Sequence, residues 1–295
     1  MRITITGATG LIGAGLRRHL MASGHELRCL SRKPLAQTGW FAWDTLAGGP
    51  PRESLEGSEA VIHLAGEPIA QRWSLEVKRR IRSSRAEGTA ALVKSLAALP
   101  RRPSVLVSAS AIGYYGDRAD ESLTEQALPG SDFLSEVCVE WERAAELARE
   151  SGIRVVCVRI GMVLHPRGGA LGQMLPIVRA GLGGPMAGGQ AWLSWVHRED
   201  LMRLFTWALE TSTVQGPVNA VAPGAVRNGE FMRTLGTTLH RPAFLPVPAF
   251  ALRLLYGEMA GVILRSQHVI PEVAEQAGFQ FSWPQLAPAL QNLLG

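Results

Sequence analysis

The stretch RITITGATGLIGAGLRRHLMASG (Arg2–Gly24) decides the fold, because its apolar period changes halfway along. Arg2–Thr6 is a short run rich in β-branched residues that stops at Gly7. Beyond the turn, Leu11, Ile12, Leu16, Leu20 and Met21 recur at helical spacing. Strand, tight turn and helix therefore follow one another, with Gly7, Gly10 and Gly13 at the junction. Glycines so placed let the main chain turn sharply, approach a ligand closely and pack the helix on the strand. The N–H groups and dipole of the helix N-terminus then face an anion. The spacing differs from the G-x-G-x-x-G of the commonest dinucleotide fold, but the physical requirement is the same. A dinucleotide pyrophosphate is the expected occupant, held by Gly7, Thr9, Gly10, Leu11, Ile12 and Gly13.

Further strand-like runs lie at ELRCLSR (26–32), EAVIHLAG (59–66), SVLVSAS (104–110) and IRVVCVRIG (153–161). Long helical stretches separate them, notably 75–99 and 135–151. Strands alternating with helices of that length pair in parallel through right-handed crossovers, so a doubly wound, Rossmann-like α/β sheet is expected. After about Gly161 the texture turns Gly/Pro-rich, in HPRGGALGQM, GLGGPMAGG and HRPAFLPVP. The expected division is a dinucleotide-binding part over 1–165 and a smaller substrate-binding lobe over 166–295, with about 191–222 returning to the sheet.

The second strand settles which dinucleotide is expected. A carboxylate at its end would hydrogen-bond a ribose 2′-hydroxyl and repel a 2′-phosphate, but the chain has Ser31-Arg32-Lys33 there. A guanidinium pairs with phosphate and a serine hydroxyl donates to it, so NADP(H) is the expected cofactor.

Bulk properties narrow the remaining classes. At 295 residues, with 46% hydrophobic and 19% charged residues, the chain has the composition of a globular enzyme and not of a disordered tail. The net charge of +5 arises from arginine clusters without interleaved aromatics, which argues for a small anionic ligand and against nucleic acid. Three cysteines, two of them inside apolar runs, argue against disulfides. With no apolar run of membrane-spanning length and no space for a leader before the first strand, a cytoplasmic monomer or homodimer without membrane contact is expected. No His, Cys or acidic spacing suggests a metal site.

These segments resemble the extended short-chain dehydrogenases/reductases. TGATGLIG is similar to the cofactor turn, HLAG (63–66) to the motif beside the adenosine ribose, and SASAIGYYG (108–116) to the catalytic-serine segment. HLAGEPI, RIGMVL, LGGPMAGGQAWLSWVHREDL, LHRPAFLPVP and VIPEVAEQAGFQF resemble an atypical, epimerase-like branch of uncertain substrate, across nearly the whole chain. The resemblance implies that Leu64, Ala65 and Gly66 line the cofactor, that Arg85 reaches its site, and that Leu164 lies near the nicotinamide; from the residues alone, Arg85 reads as a surface charge and Leu164 as core.

The superfamily's catalytic pair, Y-x-x-x-K, is missing: Phe133 and Val137 stand in those places, and neither moves a proton. The serine survives as Ser110, with Ser108 as the alternative. Tyr115, or Tyr114, is the candidate donor from the opposite side, and the competing reading has both tyrosines as packing residues. Glu136, Cys138 and Glu140 read as two solvated acids and a packed thiol, and His197 as structural. Met162 and Leu193 stand where sugar-nucleotide relatives carry asparagine and arginine. A smaller or more apolar substrate is thereby implied, held partly by Trp192 and Trp195, unless Arg179 or Arg265 serves a diphosphate.

Overall fold

The computed structural model describes all 295 residues. Seven strands build the central sheet: β1 (Arg2–Thr6), β2 (Glu26–Ser31), β3 (Trp40–Ala42), β4 (Ala60–His63), β5 (Val105–Ala111), β6 (Arg154–Ile160) and β7 (Gly216–Ala220). Their spatial order is β7-β6-β5-β4-β1-β2-β3, and every pairing is parallel. The order reverses beside β1, and in an open α/β sheet such a reversal leaves a crevice at the carboxyl ends of the strands.

Helices cover both faces of the sheet. On one face α1 (Leu11–Ala22) and α5 (Arg198–Glu210) bury Leu16, Leu20, Leu201, Leu204 and Phe205 against Ile3, Ile5, Ile62, Val107 and Val158. On the other, α2 (Leu75–Ala97) and α3 (Phe133–Glu146) bury Leu92, Val93, Leu96 and Ala145 against Val61, Leu106 and Val155. β1, β4, β5 and β6 are buried on both faces because helices cover both, as in parallel sheets generally. A third core joins Leu171 and Leu175 of α4 (Gly169–Arg179), Phe231 and Leu235 of α6 (Asn228–Thr238) and Leu290 of the C-terminal helix Leu286–Leu294.

Helix starts explain where side chains are held. The Ser74 side chain accepts from Val77 N at the start of α2, Asp132 from Leu134 N and Ser135 N at α3, and His197 from Glu199 N at α5. His197 is fully buried and serves as this cap. By contrast α1 starts behind Gly10 with no side-chain cap and no acidic residue in its first turn, as α4 does behind Gly168.

No helix is long and apolar enough to cross a membrane. No group of three or more His, Cys, Asp and Glu side chains converges in a way that could hold a metal ion. The three cysteines are free and buried.

Candidate active site

The glycine turn after β1 is shaped by contacts that exclude side chains at two of its three glycines. Gly7 has φ +66°, and a Cβ there would lie 2.9 Å from Ala65 N. A Cβ on Gly13 would lie 2.3 Å from the Gly7 carbonyl oxygen, so only glycine lets α1 start this close to the strand. Gly10 differs: it is exposed, has φ −70°, and an added Cβ would have one near neighbour, Gly7 O at 3.3 Å. Its missing side chain leaves open the space in front of the first N–H groups of α1, those of Leu11, Ile12 and Gly13, which no intrahelical carbonyl can satisfy. An uncapped helix N-terminus behind a bare glycine fits a pyrophosphate.

Thr6, at the end of β1, holds the wall of this cradle. Its Oγ lies 2.7 Å from His63 Nδ1 and accepts from both Leu64 N and Ala65 N at 3.1 Å. Two acceptances leave the hydroxyl proton for His63 Nδ1, so the imidazole is neutral and donates from Nε2 to Thr89 Oγ at 2.9 Å. Burial drives the His63 pKa down to about 3, with Arg85 adding to the shift. The chain Thr6–His63–Thr89 thus fixes the Leu64–Gly66 turn between β4 and α2. Sequence reading missed Thr6 and Thr89, since no spacing rule connects them to a glycine motif.

Gly66, at the end of the Leu64–Gly66 turn, meets Arg85 of α2. Arg85 Nη1 donates to Glu67 O at 3.0 Å and Ile81 O at 3.2 Å, and its guanidinium lies 5.1 Å from the Trp141 ring centroid. A Cβ on Gly66 would lie 3.2 Å from Arg85 Cζ, so the arginine underlies that turn and is no free surface charge. At the end of β2, Ser31 is buried, its Oγ lies 2.8 Å from Thr9 Oγ, and Arg32 reaches Glu67 Oε2 at 3.3 Å. Gly7, Thr9, Ser31, Arg32, Leu64, Ala65, Gly66 and Arg85 therefore surround one crevice at the carboxyl ends of β1, β2 and β4. Leu11, exposed at the start of α1, lies against Gly168. Leu164 stands apart: its side chain is fully buried in the third core, and only its main chain is left to face a ligand.

The catalytic candidates lie further along the sheet edge, in a buried polar network. Ser110 Oγ donates to Glu142 Oε1 at 2.6 Å, and Glu142 forms a two-pronged pair with Arg159, both contacts at 2.8 Å. Arg159 Nη1 donates to the Tyr115 hydroxyl oxygen, Oη, at 3.0 Å and to the Glu125 main-chain O at 3.1 Å, and its guanidinium lies 3.5 Å from the Tyr114 ring centroid. The Tyr115 hydroxyl donates to Asn219 Oδ1 at 2.7 Å. Tyr115 is fully buried, and burial pushes its pKa up to about 12 against the opposing pull of Arg159 and Asn219. Ser110 and Tyr115 are thus brought together, with both hydroxyls engaged inside the protein. Ser108 is buried on the same face, where its hydroxyl bonds to Ala109 O.

The face of α3 turned to the exit of β5 carries Leu134 and Cys138, one residue on from Phe133 and Val137. A Cβ at Gly113 would lie 3.7 Å from Leu134 Cβ and 3.8 Å from Cys138 Sγ. Phe133 instead packs edge-on against Trp73 at 5.4 Å, with Lys78 Nζ 4.8 Å from its ring. One residue is about 100° of helix rotation, so the sequence register misplaces the face. The missing proton-transfer pair stays missing, because burial pushes the Cys138 thiol up to about 12 and leaves it a thiol. Glu136 and Glu140 both pair with Arg82.

Neither Trp192 nor Trp195 offers a free ring. Trp195 is fully buried and donates to Gly224 O at 2.8 Å, while Trp192 stacks on His268 at 4.2 Å with the Arg227 guanidinium also 4.2 Å from its ring. Arg265 pairs with Asp132 at 2.7 Å.

The profile of the NAD dependent epimerase/dehydratase family matches residues 3–221. The chain belongs to this family. A domain of unknown function matches residues 247–293. The chloroplastic homologue of epimerase family protein SDR39U1 from Arabidopsis thaliana is 41% identical over 302 residues, spanning 100% of this chain and 87% of the relative. A crystal structure of the human epimerase family protein SDR39U1 with NADPH is 37% identical, with a TM-score of 0.91 over 99% of each chain. A nucleoside-diphosphate sugar epimerase from Corynebacterium glutamicum is 34% identical, with a TM-score of 0.82 over 100% of this chain and 58% of that one. Family membership agrees with the glycine turn after β1 and the crevice beside it, as does the resemblance to extended short-chain dehydrogenases/reductases.

Proposed function

We propose that this epimerase-family protein binds NADP(H) in the crevice formed by β1, β2 and β4, and transfers hydride to or from a small carbonyl or secondary alcohol held toward the second lobe, residues 166–295. The observation that carries the reading is the end of β2, where Ser31 and Arg32 stand beside the uncapped N-terminus of α1, with no acidic residue among Ser31, Arg32 and Lys33. The human relative crystallised with NADPH supports it. Bound nicotinamide supplies the hydride chemistry. The chain's own groups bind and orient: Gly10 admits the pyrophosphate to the α1 N–H groups, Arg32 pairs with the 2′-phosphate, and Arg85 holds the Leu64–Gly66 turn under the adenosine.

Ser110 and Tyr115 act in this reading by positioning the sheet edge, since their hydroxyls are spent on Glu142 and Asn219. The same observation, with Leu134 and Cys138 on α3, favours a second reading in which the protein binds NADP(H) without turnover, as a sensor or regulatory module. A turnover screen against a carbonyl library, followed by NADPH absorbance, separates the two. Three buried thiols suit a reducing compartment, and we place the protein in the cytoplasm, although the Arabidopsis relative is chloroplastic.

Two expected results test the cofactor site. Calorimetry gives tighter binding of NADPH than of NADH by about tenfold to a hundredfold, the scale of one charge-assisted hydrogen bond. Arg32→Asp reverses the order; equal affinities in the wild-type protein would refute the reading. Gly10→Asp separates folding from binding. Its extended backbone, φ −70° and ψ 172°, suits an aspartate N-cap, so stability stays within about 0.5 kcal/mol of wild type. The new carboxylate occupies and repels the phosphate site, and NADPH affinity falls at least about tenfold. Undiminished affinity in that variant would place the dinucleotide elsewhere.

A further inference from the structure

Glu67 follows the Leu64–Gly66 turn and is the one carboxylate among the cations at the mouth of the crevice. Its side chain is 12% exposed, with Oε2 3.3 Å from Arg32 Nη1 and Oε1 3.2 Å from Arg80 Nη2. The main chain beneath it is fixed on both sides: Glu67 N donates to Ser84 Oγ at 2.9 Å, and Glu67 O accepts from Arg85 Nη1 at 3.0 Å. The main chain that carries the carboxylate therefore stays in place if Arg32 moves, and Arg80 remains as a partner for the carboxylate. Arg32 lies on the loop after β2 with its side chain 53% exposed, whereas Arg80 projects from α2 with its side chain 42% exposed.

We propose that Glu67 is an internal competitor for the 2′-phosphate: it holds Arg32 across the mouth of the crevice in the free protein and hands it to the incoming phosphate, while Arg80 keeps Glu67 neutralised. This rests on the reading of the crevice as an NADP(H) site and adds to it a residue that sets selectivity. The chemistry is an exchange of ion pairs. Before binding, Glu67 has two guanidinium partners; afterwards it has Arg80 alone, and Arg32 faces a dianionic phosphate in place of a monoanionic carboxylate. The Arg32–Glu67 pair lies partly in water, so its loss is worth about two- to fivefold in binding.

Arg80 then has an effect opposite in sign to that of Glu67. Removing Glu67 releases Arg32 and tightens 2′-phosphate ligands. Removing Arg80 leaves Glu67 with Arg32 as its only partner and weakens them. A carboxylate that merely braced the loop would not give opposite signs, nor act on the 2′-phosphate alone.

The experiment is calorimetry with adenosine 2′,5′-bisphosphate and, as the ligand lacking the 2′-phosphate, 5′-AMP, on wild type, Glu67→Gln, Arg80→Ala, the double variant Glu67→Gln/Arg80→Ala, and Arg32→Ala. The inference expects Glu67→Gln to bind the bisphosphate about two- to fivefold more tightly with 5′-AMP unchanged, and Arg80→Ala to bind it more weakly. In the Glu67→Gln background Arg80→Ala adds nothing, because its effect passes through Glu67. Equal or weaker bisphosphate binding by Glu67→Gln, with the wild type still preferring the bisphosphate through Arg32, overturns the competitor and leaves the NADP(H) reading intact. No preference for the bisphosphate in wild type, or none lost in Arg32→Ala, overturns the NADP(H) reading itself and the competitor with it.

Discussion

Replacing Glu142 by alanine lowers the stability of the fold by about 3–5 kcal/mol, the scale on which buried ion pairs fail when one partner is removed. Arg159, 3% exposed, loses both prongs of its partner and keeps a full charge in the interior. Burial opposes that charge, and in the intact protein Glu142 outweighs the opposition and raises the arginine's pKa. Ser110 loses its acceptor at the same time. The effect belongs to the unpaired charge and not to the pair as such, so Glu142→Leu/Arg159→Met recovers most of the loss. Urea denaturation with an unchanged slope measures both variants; a loss below about 1 kcal/mol in Glu142→Ala would mean that the pair is not desolvated in solution.

Acid should weaken the protein through His63. The ring is neutral and buried in the fold, with its pKa lowered from 6.5 to about 3, so the unfolded chain takes up a proton that the folded chain refuses. A group depressed on folding contributes its full stability above the unfolded value, and that contribution is lost progressively as pH falls from 6.5 toward about 3. The loss is about 1.4 kcal/mol per pH unit, several kcal/mol over the whole window. His165, His197 and His268 are also lowered by burial and add slope of the same sign. Glu125, raised by burial, has the opposite sign and offsets part of the loss at the acid end. Thermal melts at pH 6.5 and pH 5 on wild type and His63→Gln isolate the ring: the wild type has the steeper dependence, and parallel slopes would show that His63 protonates within the fold.

The doubly wound class was legible because Arg2–Gly24 switches period at a glycine turn, and because EAVIHLAG and IRVVCVRIG are apolar on both faces, as buried parallel strands are. Trp40–Ala42 was not read as a strand, being three residues long and coming after seven exposed residues, 32–38. The crevice was legible wherever the chemistry sits next to a turn, as at Gly7–Gly13 and Ser31–Arg32. Its supports were not. Thr6 meets Thr89 only through His63, and Glu142 meets Arg159 across 17 residues from a helix to a strand, a relation no periodicity encodes. The α3 register failed for a related reason: with tyrosine and lysine both gone, no side chain marked which face of the helix meets β5.

Residues 247–293 match a different profile from the sheet, yet they are stitched into it. Gln267 Nε2 donates to Ile112 O and Gly116 O, Asn219 Nδ2 to Ile270 O, and the buried Glu125 accepts from the main chain of both Asn219 and Val273. A seam made of side chains from one partner and main chain from the other constrains recombination. A chimaera that joins the first 246 residues of this chain to the tail of a relative keeps its shape only if Glu125 and Asn219 still find their main-chain partners, and if the incoming tail brings its own equivalent of Gln267. For shuffling or fragment expression, the usable cut lies outside this seam, whatever the change of profile at residue 247 suggests.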